Sequence, residues 1–203
     1  MTKILKILIA EDQAMLLGAV ATLLDLEDDF EIVAKAANGE EALTQCRELN
    51  PDIVLSDIEM PKMTGIELAE TLHKEDFGGK VMILTTFARS GYLRRAMDAG
   101  VKGYLLKDTP SDDLAEAIRR VASGRKVIDP ELVVEAFDEV DPLSEKERKT
   151  LKLAADGLTT QQIAETLFLS KGTVRNYLSS AASKLHAQNR IEAARIARQK
   201  GWL

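Results

Sequence analysis

The chain has 203 residues, of which 45% are hydrophobic and 30% are charged. This mixture is too apolar for a disordered chain and too even for a fibrous one, so one large or two modest globular domains are expected. The single cysteine excludes an internal disulfide, and the N-terminus has no apolar stretch long enough for a signal peptide or a membrane span. These features predict a cytoplasmic protein that is not inserted in a membrane.

The formal net charge of -6 is divided unevenly along the chain. Residues 143–203 hold 11 Lys and Arg against 5 Asp and Glu, a formal charge of +6, which leaves -12 for residues 1–142. A basic domain joined to an acidic one indicates contact with nucleic acid through the basic part, although a solvated basic surface is nearly as good an explanation when charge is considered alone.

Five short apolar runs occur in the first part of the chain, and each is followed by a segment with helical spacing. The predicted strands are Ile4–Ala10, Glu31–Ala34, Ile53–Ser56, Val81–Thr85 and Gly103–Leu106. The predicted helices are Ala14–Leu26, Gly39–Leu49, Gly65–Lys74, Gly91–Ala99 and Ser111–Ser123. Strands that alternate with helices pair in parallel through crossover connections. We therefore predict an α/β, doubly wound, five-stranded parallel sheet in residues 1–125.

Polar side chains suited to phosphoryl chemistry follow the ends of four predicted strands. They are Glu11 and Asp12 after the first, Asp57 after the third, Thr85 at the fourth and Lys107 at the fifth. Ligands of such sheets bind at the carboxyl ends of the strands, where three carboxylates require a cation such as Mg²⁺. This pattern predicts Asp57 as a nucleophile toward phosphorus, with Lys107 and Thr85 contacting the phosphoryl group.

Each of these residues also has an ordinary structural interpretation. An aspartate after a strand is usually a turn or helix-cap residue, and a threonine at a strand end is common. Five suitable side chains at four strand ends favour the functional interpretation.

Residues 126–142 are predicted to link the sheet to a small all-α domain, and they contain a short helix at Glu131–Glu139. Four helices are predicted in residues 143–203, beginning after Ser144, Thr159, Ser170 and Asn189. Only three residues separate the second and third of these helices, which is typical of a helix-turn-helix.

The third of these helices has a small, polar face opposite an apolar one. Arginine and asparagine on such a face match the edges of guanine and adenine in the major groove. An exposed polar helix is more often simply solvated, but the +6 charge and the preceding short helix favour DNA contact here. The residues that we predict to bind DNA are Lys171, Thr173, Arg175, Asn176, Ser179 and Lys184.

The first 125 residues resemble the receiver domain of bacterial two-component response regulators. The resemblance is carried by Glu11-Asp12, Asp57, Met60-Pro61, Gly65, Thr85 and Gly103-Tyr104-Leu105-Leu106-Lys107. It implies a flavodoxin-like receiver in which Asp57 accepts a phosphoryl group from a sensor histidine kinase, with Lys107 contacting the phosphoryl oxygens. It also implies that Thr85 and Tyr104 form a coupled switch pair.

The same resemblance implies how Mg²⁺ is bound. Asp12, Asp57 and the backbone carbonyl of Glu59 would be ligands, and Glu11 would act through water. One departure is Asp108, which follows Lys107 where many receivers have proline.

Residues 143–203 resemble the LuxR-type DNA-binding domain. The matching segments are Pro142-Leu143-Ser144-Glu145-Lys146-Glu147, Asp156-Gly157, Gln162-Ile163-Ala164, Gly172-Thr173-Val174-Arg175-Asn176-Tyr177, Lys184-Leu185 and Arg190-Ile191-Glu192-Ala193. The two halves together resemble response regulators of the NarL/FixJ subfamily. This resemblance implies a transcriptional regulator, not an enzyme, that forms a homodimer on phosphorylation and binds double-stranded promoter DNA; RNA polymerase is a further partner that such a function allows.

Two other functions remain to be weighed. A Mg²⁺-dependent phosphatase of the haloacid dehalogenase type would also use an aspartyl-phosphate, but it requires a second aspartate and a threonine where this chain has Glu59 and Pro61. The other alternative is a receiver-like domain that senses a ligand and is never phosphorylated. The complete set of Glu11, Asp12, Asp57, Thr85 and Lys107 argues against the second alternative.

Overall fold

The structure, a computed structural model, describes residues 4–86, 90–137 and 141–203. These residues form two compact units. The first contains residues 4–86 and 93–134, and the second contains the described residues from 135 to 203 together with 90–92.

The first unit is built on a parallel sheet. Its strands are β1 (Leu5–Ala10), β2 (Phe30–Ala36), β3 (Ile53–Ser56), β4 (Lys80–Thr85), β5 (Gly103–Leu106) and β6 (Val127–Ile128). They lie in the order β2-β1-β3-β4-β5-β6, and every neighbouring pair is parallel. The chain moves outward from β1 in one direction to β2 and in the other to β3. The strand order therefore reverses between β1 and β3, which is where ligands of such sheets bind.

The number of strands corrects the sequence prediction, because the sheet has six strands and not five. The additional strand β6 pairs Val127 with Gly103 and Ile128 with Tyr104. Both residues fall in the linker predicted at residues 126–142. A two-residue strand is too short to show alternation, so only its pairing with β5 reveals it.

Helices cover both faces of this sheet. They are α1 (Ala14–Leu24), α2 (Gly39–Leu49), α3 (Gly65–Lys74), α4 (Ser90–Asp98) and α5 (Ser111–Ala122). Apolar side chains of α1 and α5 pack on one face in a core that includes Ile7, Leu55 and Met82, while α2 packs against α3, β1 and β2. Residues 53–56 of β3 are buried on both faces, as expected for a central strand.

A short helix α6 (Pro130–Phe137) follows β6; the end of its predicted span, to Glu139, lies outside the described residues. The second unit contains α7 (Glu145–Ala155), α8 (Thr160–Thr166), α9 (Lys171–Lys184) and α10 (Arg190–Gln199). The four predicted helix starts are confirmed, because Ser144, Thr159, Ser170 and Asn189 all accept a backbone hydrogen bond as N-caps. In the described part of the chain, no helix is long and apolar enough to cross a bilayer.

The core of the second unit is formed by one apolar stripe from each helix. Leu151, Ile163, Val174 and Ala193 are fully buried, and Trp202 packs on them with 7% of its surface exposed. Because this core holds one face of α9, the opposite face of α9 is left to solvent.

Candidate functional site

The carboxyl ends of β1 and β3 bring three acidic residues together. Ala10 and Ser56 are register partners, and the Asp57 backbone N–H donates to the Ala10 carbonyl at 2.9 Å. One carboxylate oxygen from each of Glu11, Asp12 and Asp57 lies within 4.8 Å of the others. Glu11 and Asp57 are buried, whereas Asp12 is exposed. The structure thus assembles the acidic cluster that the strand ends predict.

Lys107 reaches into this cluster from the end of β5. Its ammonium Nζ lies 2.7 Å from Glu11 Oε2 and 3.1 Å from Asp57 Oδ2, and only 6% of its side chain is exposed. Its backbone N–H donates to the Thr85 carbonyl at 2.8 Å, which fixes the start of the lysine relative to β4. We call Glu11, Asp12, Asp57 and Lys107 the acidic rim. The rim carries three formal negative charges against one positive charge.

The charge imbalance is visible in the pKa values of the rim. Burial raises the pKa of the Glu11 and Asp57 carboxyls above their ordinary values, and the contacts with Lys107 do not fully offset it. Burial alone would lower the pKa of Lys107, but hydrogen bonds and attraction from the two carboxylates outweigh burial and raise it. Lys107 therefore stays charged. Its single positive charge does not fully compensate the negative charges of the rim carboxylates.

Two hydrogen bonds hold the backbone and the side chain of Asp57 in place. The Ile58 N–H donates to Asp57 Oδ1 at 2.7 Å, and the buried Ser56 hydroxyl donates to the Asp57 carbonyl at 2.8 Å. A Cβ atom at Gly65 would lie 1.9 Å from that same carbonyl oxygen, so only glycine fits there. Ser56 was missed because a serine in a buried strand carries no distinctive sequence signal.

Thr85 and Tyr104 lie on the neighbouring strands β4 and β5. Ile83 is the register partner of Tyr104, and Thr85 is the partner of Leu106. Thr85 is 4% exposed and Tyr104 is fully buried. Both residues of the predicted switch pair are therefore inside the first unit, with Thr85 at the rim end of its strand.

The donor set of the rim fits Mg²⁺. Carboxylate oxygens are the ligands that this ion prefers, and the exposed Asp12 leaves a side open to water. Glu59 is exposed, and its carboxylate is not one of the three clustered groups. The resemblance assigned the backbone carbonyl of Glu59 to the ion, and that assignment stays a prediction.

The predicted DNA-binding residues lie along α9. Lys171, Arg175, Asn176, Ser179 and Lys184 are exposed, opposite the buried side of the helix. Thr173 is half-buried, and its hydroxyl hydrogen-bonds the hydroxyl of the N-cap Ser170 at 2.9 Å. Thr173 therefore also has a local structural role at the start of α9.

Lys184 makes a contact that the sequence analysis did not predict. Its ammonium donates to Glu147 Oε2 at 2.8 Å, and the Ser180 hydroxyl donates to Glu147 Oε1 at 2.6 Å. The Ser144 backbone N–H donates to the same carboxylate at 2.7 Å. We call Glu147, Ser144, Ser180 and Lys184 the Glu147 cluster. It joins the start of α7 to α9, so Lys184 stabilises the position of α9 whether or not it also contacts DNA.

The Glu147 carboxyl has a strongly altered pKa. Glu147 is 5% exposed, and this burial by itself would raise its pKa. The hydrogen bonds from Lys184, Ser180 and Ser144 outweigh burial and lower the pKa to about 2. The sequence showed Glu147 only as the partner of Ser144 in a capping box, because Ser180 and Lys184 are more than 30 residues away.

Comparison with known proteins agrees with this geometry. The chain matches the response regulator receiver domain family over residues 7–119 and the luxR family of bacterial regulatory proteins over residues 141–197. The chain is a two-component response regulator of the NarL/FixJ type. The predicted family, with its receiver and LuxR-type helix-turn-helix DNA-binding domains, is thereby confirmed.

Relatives and a solved structure resemble this response regulator over nearly its whole length. It is 51% identical to the transcriptional regulatory protein DesR of Bacillus subtilis over 198 residues, which cover 98% of each chain. It is 52% identical to the uncharacterized transcriptional regulatory protein YvfU of the same organism, covering 98% of this chain and 100% of that protein. The crystal structure of the response regulator ChrA covers 100% of both chains with a TM-score of 0.59 and 31% identity.

The two family matches contain the two groups of predicted site residues. All four rim residues of this response regulator lie in the receiver match, and every residue predicted to bind DNA lies in the luxR match. Its role is therefore transcription regulation, with the rim in the domain that receives the signal.

Proposed function

We propose that Asp57 accepts a phosphoryl group from a sensor histidine kinase and that this modification promotes dimerisation and promoter binding. The observation that carries the proposal is the position of Lys107 between Glu11 and Asp57, at the reversal of strand order, in a chain whose second domain is of the LuxR type. The protein would work in the cytoplasm, and it would act as an enzyme only on its own phosphoryl group.

The transfer step needs a nucleophile, positive charge and a means of holding the phosphoryl oxygens. An Asp57 carboxylate oxygen bonds to phosphorus while the phosphorus–nitrogen bond of the kinase phosphohistidine breaks, and that nitrogen takes up a proton. Lys107 Nζ, which is 3.1 Å from Asp57 Oδ2, is placed to contact a phosphoryl oxygen. The Thr85 hydroxyl would contact another oxygen.

Glu11, Asp12 and Asp57, with the Glu59 carbonyl, would hold Mg²⁺ in this site. A bound Mg²⁺ supplies positive charge that neutralises the phosphoryl oxygens during transfer. The residues of the chain contribute by holding Asp57 in place: the Ile58 N–H fixes one of its oxygens at 2.7 Å.

Phosphorylation would add about 1.5 to 2 negative charges beside Thr85. The Thr85 hydroxyl would turn toward the new oxygens, and the buried Tyr104 would be held in its inward position. The altered surface around α4 and α5 would favour pairing of two receivers. Two copies of α9 would then reach half-sites about one helical turn apart on promoter DNA, where RNA polymerase is a further partner.

Labelling by a small phosphodonor tests the first half of this proposal. The full chain is incubated with acetyl phosphate and Mg²⁺, and the phosphorylated fraction is measured by intact-mass spectrometry. We expect labelling that requires Mg²⁺, is lost in Asp57→Asn and persists in the control Asp25→Asn, which removes an exposed acid at the end of α1. Labelling of Asp57→Asn to the same extent would contradict the proposal.

DNA binding tests the second half. Labelled protein should sediment as a dimer and bind a selected duplex more tightly than unlabelled protein. Arg175→Ala should weaken specific binding by about 1–3 kcal/mol if Arg175 reads a base. Equal binding by the variant and the parent would remove Arg175 from the interface.

A further inference from the structure

An exposed aromatic side chain occupies the turn of the helix-turn-helix. Phe168 lies between α8 and α9, and 95% of its surface is exposed. Its φ angle is +54°, in the left-handed region that bulky side chains rarely adopt. Phe168 is thus unfavourable in two ways, because it strains the backbone and exposes an apolar ring to water.

The left-handed conformation belongs to the way α8 ends. The Phe168 N–H donates to the Glu165 carbonyl at 3.3 Å, and the Leu169 N–H donates to the Ala164 carbonyl at 2.8 Å. This pair of hydrogen bonds is typical of a helix end at which glycine is preferred.

The other three helices of the second unit end in the same way. Gly157 after α7 and Gly201 after α10 occupy the equivalent position with φ of +89° and +69°. His186 occupies it after α9 with φ of +52°. Two of these four helix ends therefore carry glycine. Because the Phe168 side chain is almost fully exposed, packing within the second unit does not require phenylalanine at the end of α8.

Phe168 lies next to the end of α9 that enters DNA in a helix-turn-helix. It is two residues before Ser170, the N-cap of α9, and three before Lys171. Two residues span at most about 7 Å, so an aromatic ring at 168 remains within reach of the DNA strand that the start of α9 approaches. His186 lies at the opposite end of this 14-residue helix, about 20 Å away along its axis.

We propose that Phe168 packs its ring against the sugar carbons of the DNA strand beside the groove that α9 enters. The inference rests on the proposed function, because it requires that α9 bind duplex DNA. The contact is apolar and does not read a base, so it positions α9 without selecting a sequence. It also gives a reason for a strained, exposed aromatic residue at this turn.

The test compares relief of the same backbone strain at two ends of α9. Phe168→Gly removes the strain and the ring, Phe168→Tyr keeps an aromatic ring, and His186→Gly removes equivalent strain far from Lys171. Each full-length variant is first phosphorylated with acetyl phosphate and Mg²⁺. It is then titrated, at several salt concentrations, against a fluorescent duplex that the phosphorylated parent has selected from a randomised pool. Thermal unfolding is followed by the fluorescence of Trp202, the single tryptophan of the chain.

We expect Phe168→Gly and His186→Gly both to unfold a few degrees above the parent, because glycine suits the left-handed position. Only Phe168→Gly should lose affinity, by roughly five- to tenfold, as expected for a partly buried ring. The slope of log affinity against log salt concentration should be the same for Phe168→Gly as for the parent. Lys171→Ala should lower the magnitude of this slope by about 1. Phe168→Tyr should bind like the parent.

Three results would overturn the inference. The first is parental affinity in Phe168→Gly, and the second is an equal loss of affinity in His186→Gly. The third is a loss of self-association by Phe168→Gly in sedimentation without DNA, which would assign the ring to a second copy of the chain. Selection of no duplex by the phosphorylated parent would instead refute the proposed function, and the inference with it.

Discussion

The acidic rim and the Glu147 cluster both contain a buried carboxylate beside a lysine, yet their pKa values move in opposite directions. At the rim, one ammonium is shared between Glu11 and Asp57, at 2.7 and 3.1 Å. In the cluster, Glu147 alone accepts hydrogen bonds from Lys184, Ser180 and Ser144. Burial raises the pKa in both regions. At the rim, burial together with repulsion between the carboxylates outweighs the shared lysine, whereas at Glu147 the hydrogen-bond donors outweigh burial.

This difference is what we expect between the proposed phosphorylation site and a structural contact. The rim has more negative charge than its donors stabilise, which suits a site that receives a divalent cation and a phosphoryl group. The Glu147 cluster has no such deficit, which suits a permanent connection between α7 and α9. The same substitution of carboxylate by amide should therefore destabilise one region and stabilise the other.

Glu147→Gln should have the largest effect on stability. The amide keeps the size of the side chain but loses the charge that holds Lys184, and the lowered pKa corresponds to as much as about 3 kcal/mol at pH 7. Urea unfolding followed by Trp202 fluorescence reports the second unit, because Trp202 is buried in its core. Unfolding of this variant at the parental urea concentration would show that the cluster contributes nothing.

Acid should remove this difference between Glu147→Gln and the parent. The folded pKa of about 2 lies below the ordinary value of 4.5, so the stabilisation is fully present above about pH 4.5 and declines as the pH falls toward 2. The gap in unfolding free energy between parent and variant should shrink by roughly 1.4 kcal/mol for each pH unit below 4.5. Urea unfolding at several pH values measures the gap, and a constant gap would contradict the assignment of the charge to Glu147.

Asp57→Asn should act in the opposite direction. Burial raises the pKa of the Asp57 carboxyl, so its charged form is disfavoured in the folded state, and its neutralisation should stabilise the receiver in the presence of EDTA. The asparagine Oδ1 still accepts from the Ile58 N–H. Far-UV circular dichroism during urea unfolding measures the receiver.

Mg²⁺ provides the control for that prediction. The ion should stabilise the parent and not Asp57→Asn, so the advantage of the variant should diminish as Mg²⁺ is added. An Asp57→Asn variant that is less stable than the parent in EDTA would show that Lys107 fully compensates the rim.

The sequence identified the rim more completely than the Glu147 cluster. Rim residues end neighbouring strands, and parallel topology alone brings strand ends together, so Glu11, Asp57 and Lys107 were predicted to meet. The contact of Glu147 with Ser180 depends on how α7 crosses α9, which no local pattern encodes. Lys184 was accordingly interpreted only as a DNA-binding residue. Strand β6 was missed for a related reason: a two-residue strand is too short to show any periodicity, so only its pairing with β5 reveals it.

An exposed ion pair should give the smallest effect and sets the baseline for both regions. Lys149 Nζ lies 2.6 Å from Glu145 Oε1 one turn away on α7, a distance similar to those at the rim and in the cluster, but both side chains are more than half exposed. Water and salt screen this pair, so Lys149→Met should change the unfolding free energy by less than about 0.5 kcal/mol. Urea unfolding of the second unit, measured in parallel with Glu147→Gln, checks this value. A loss as large as that of Glu147→Gln would mean that any lysine–carboxylate contact on α7 is equally stabilising, and that burial and the number of donors do not distinguish the cluster.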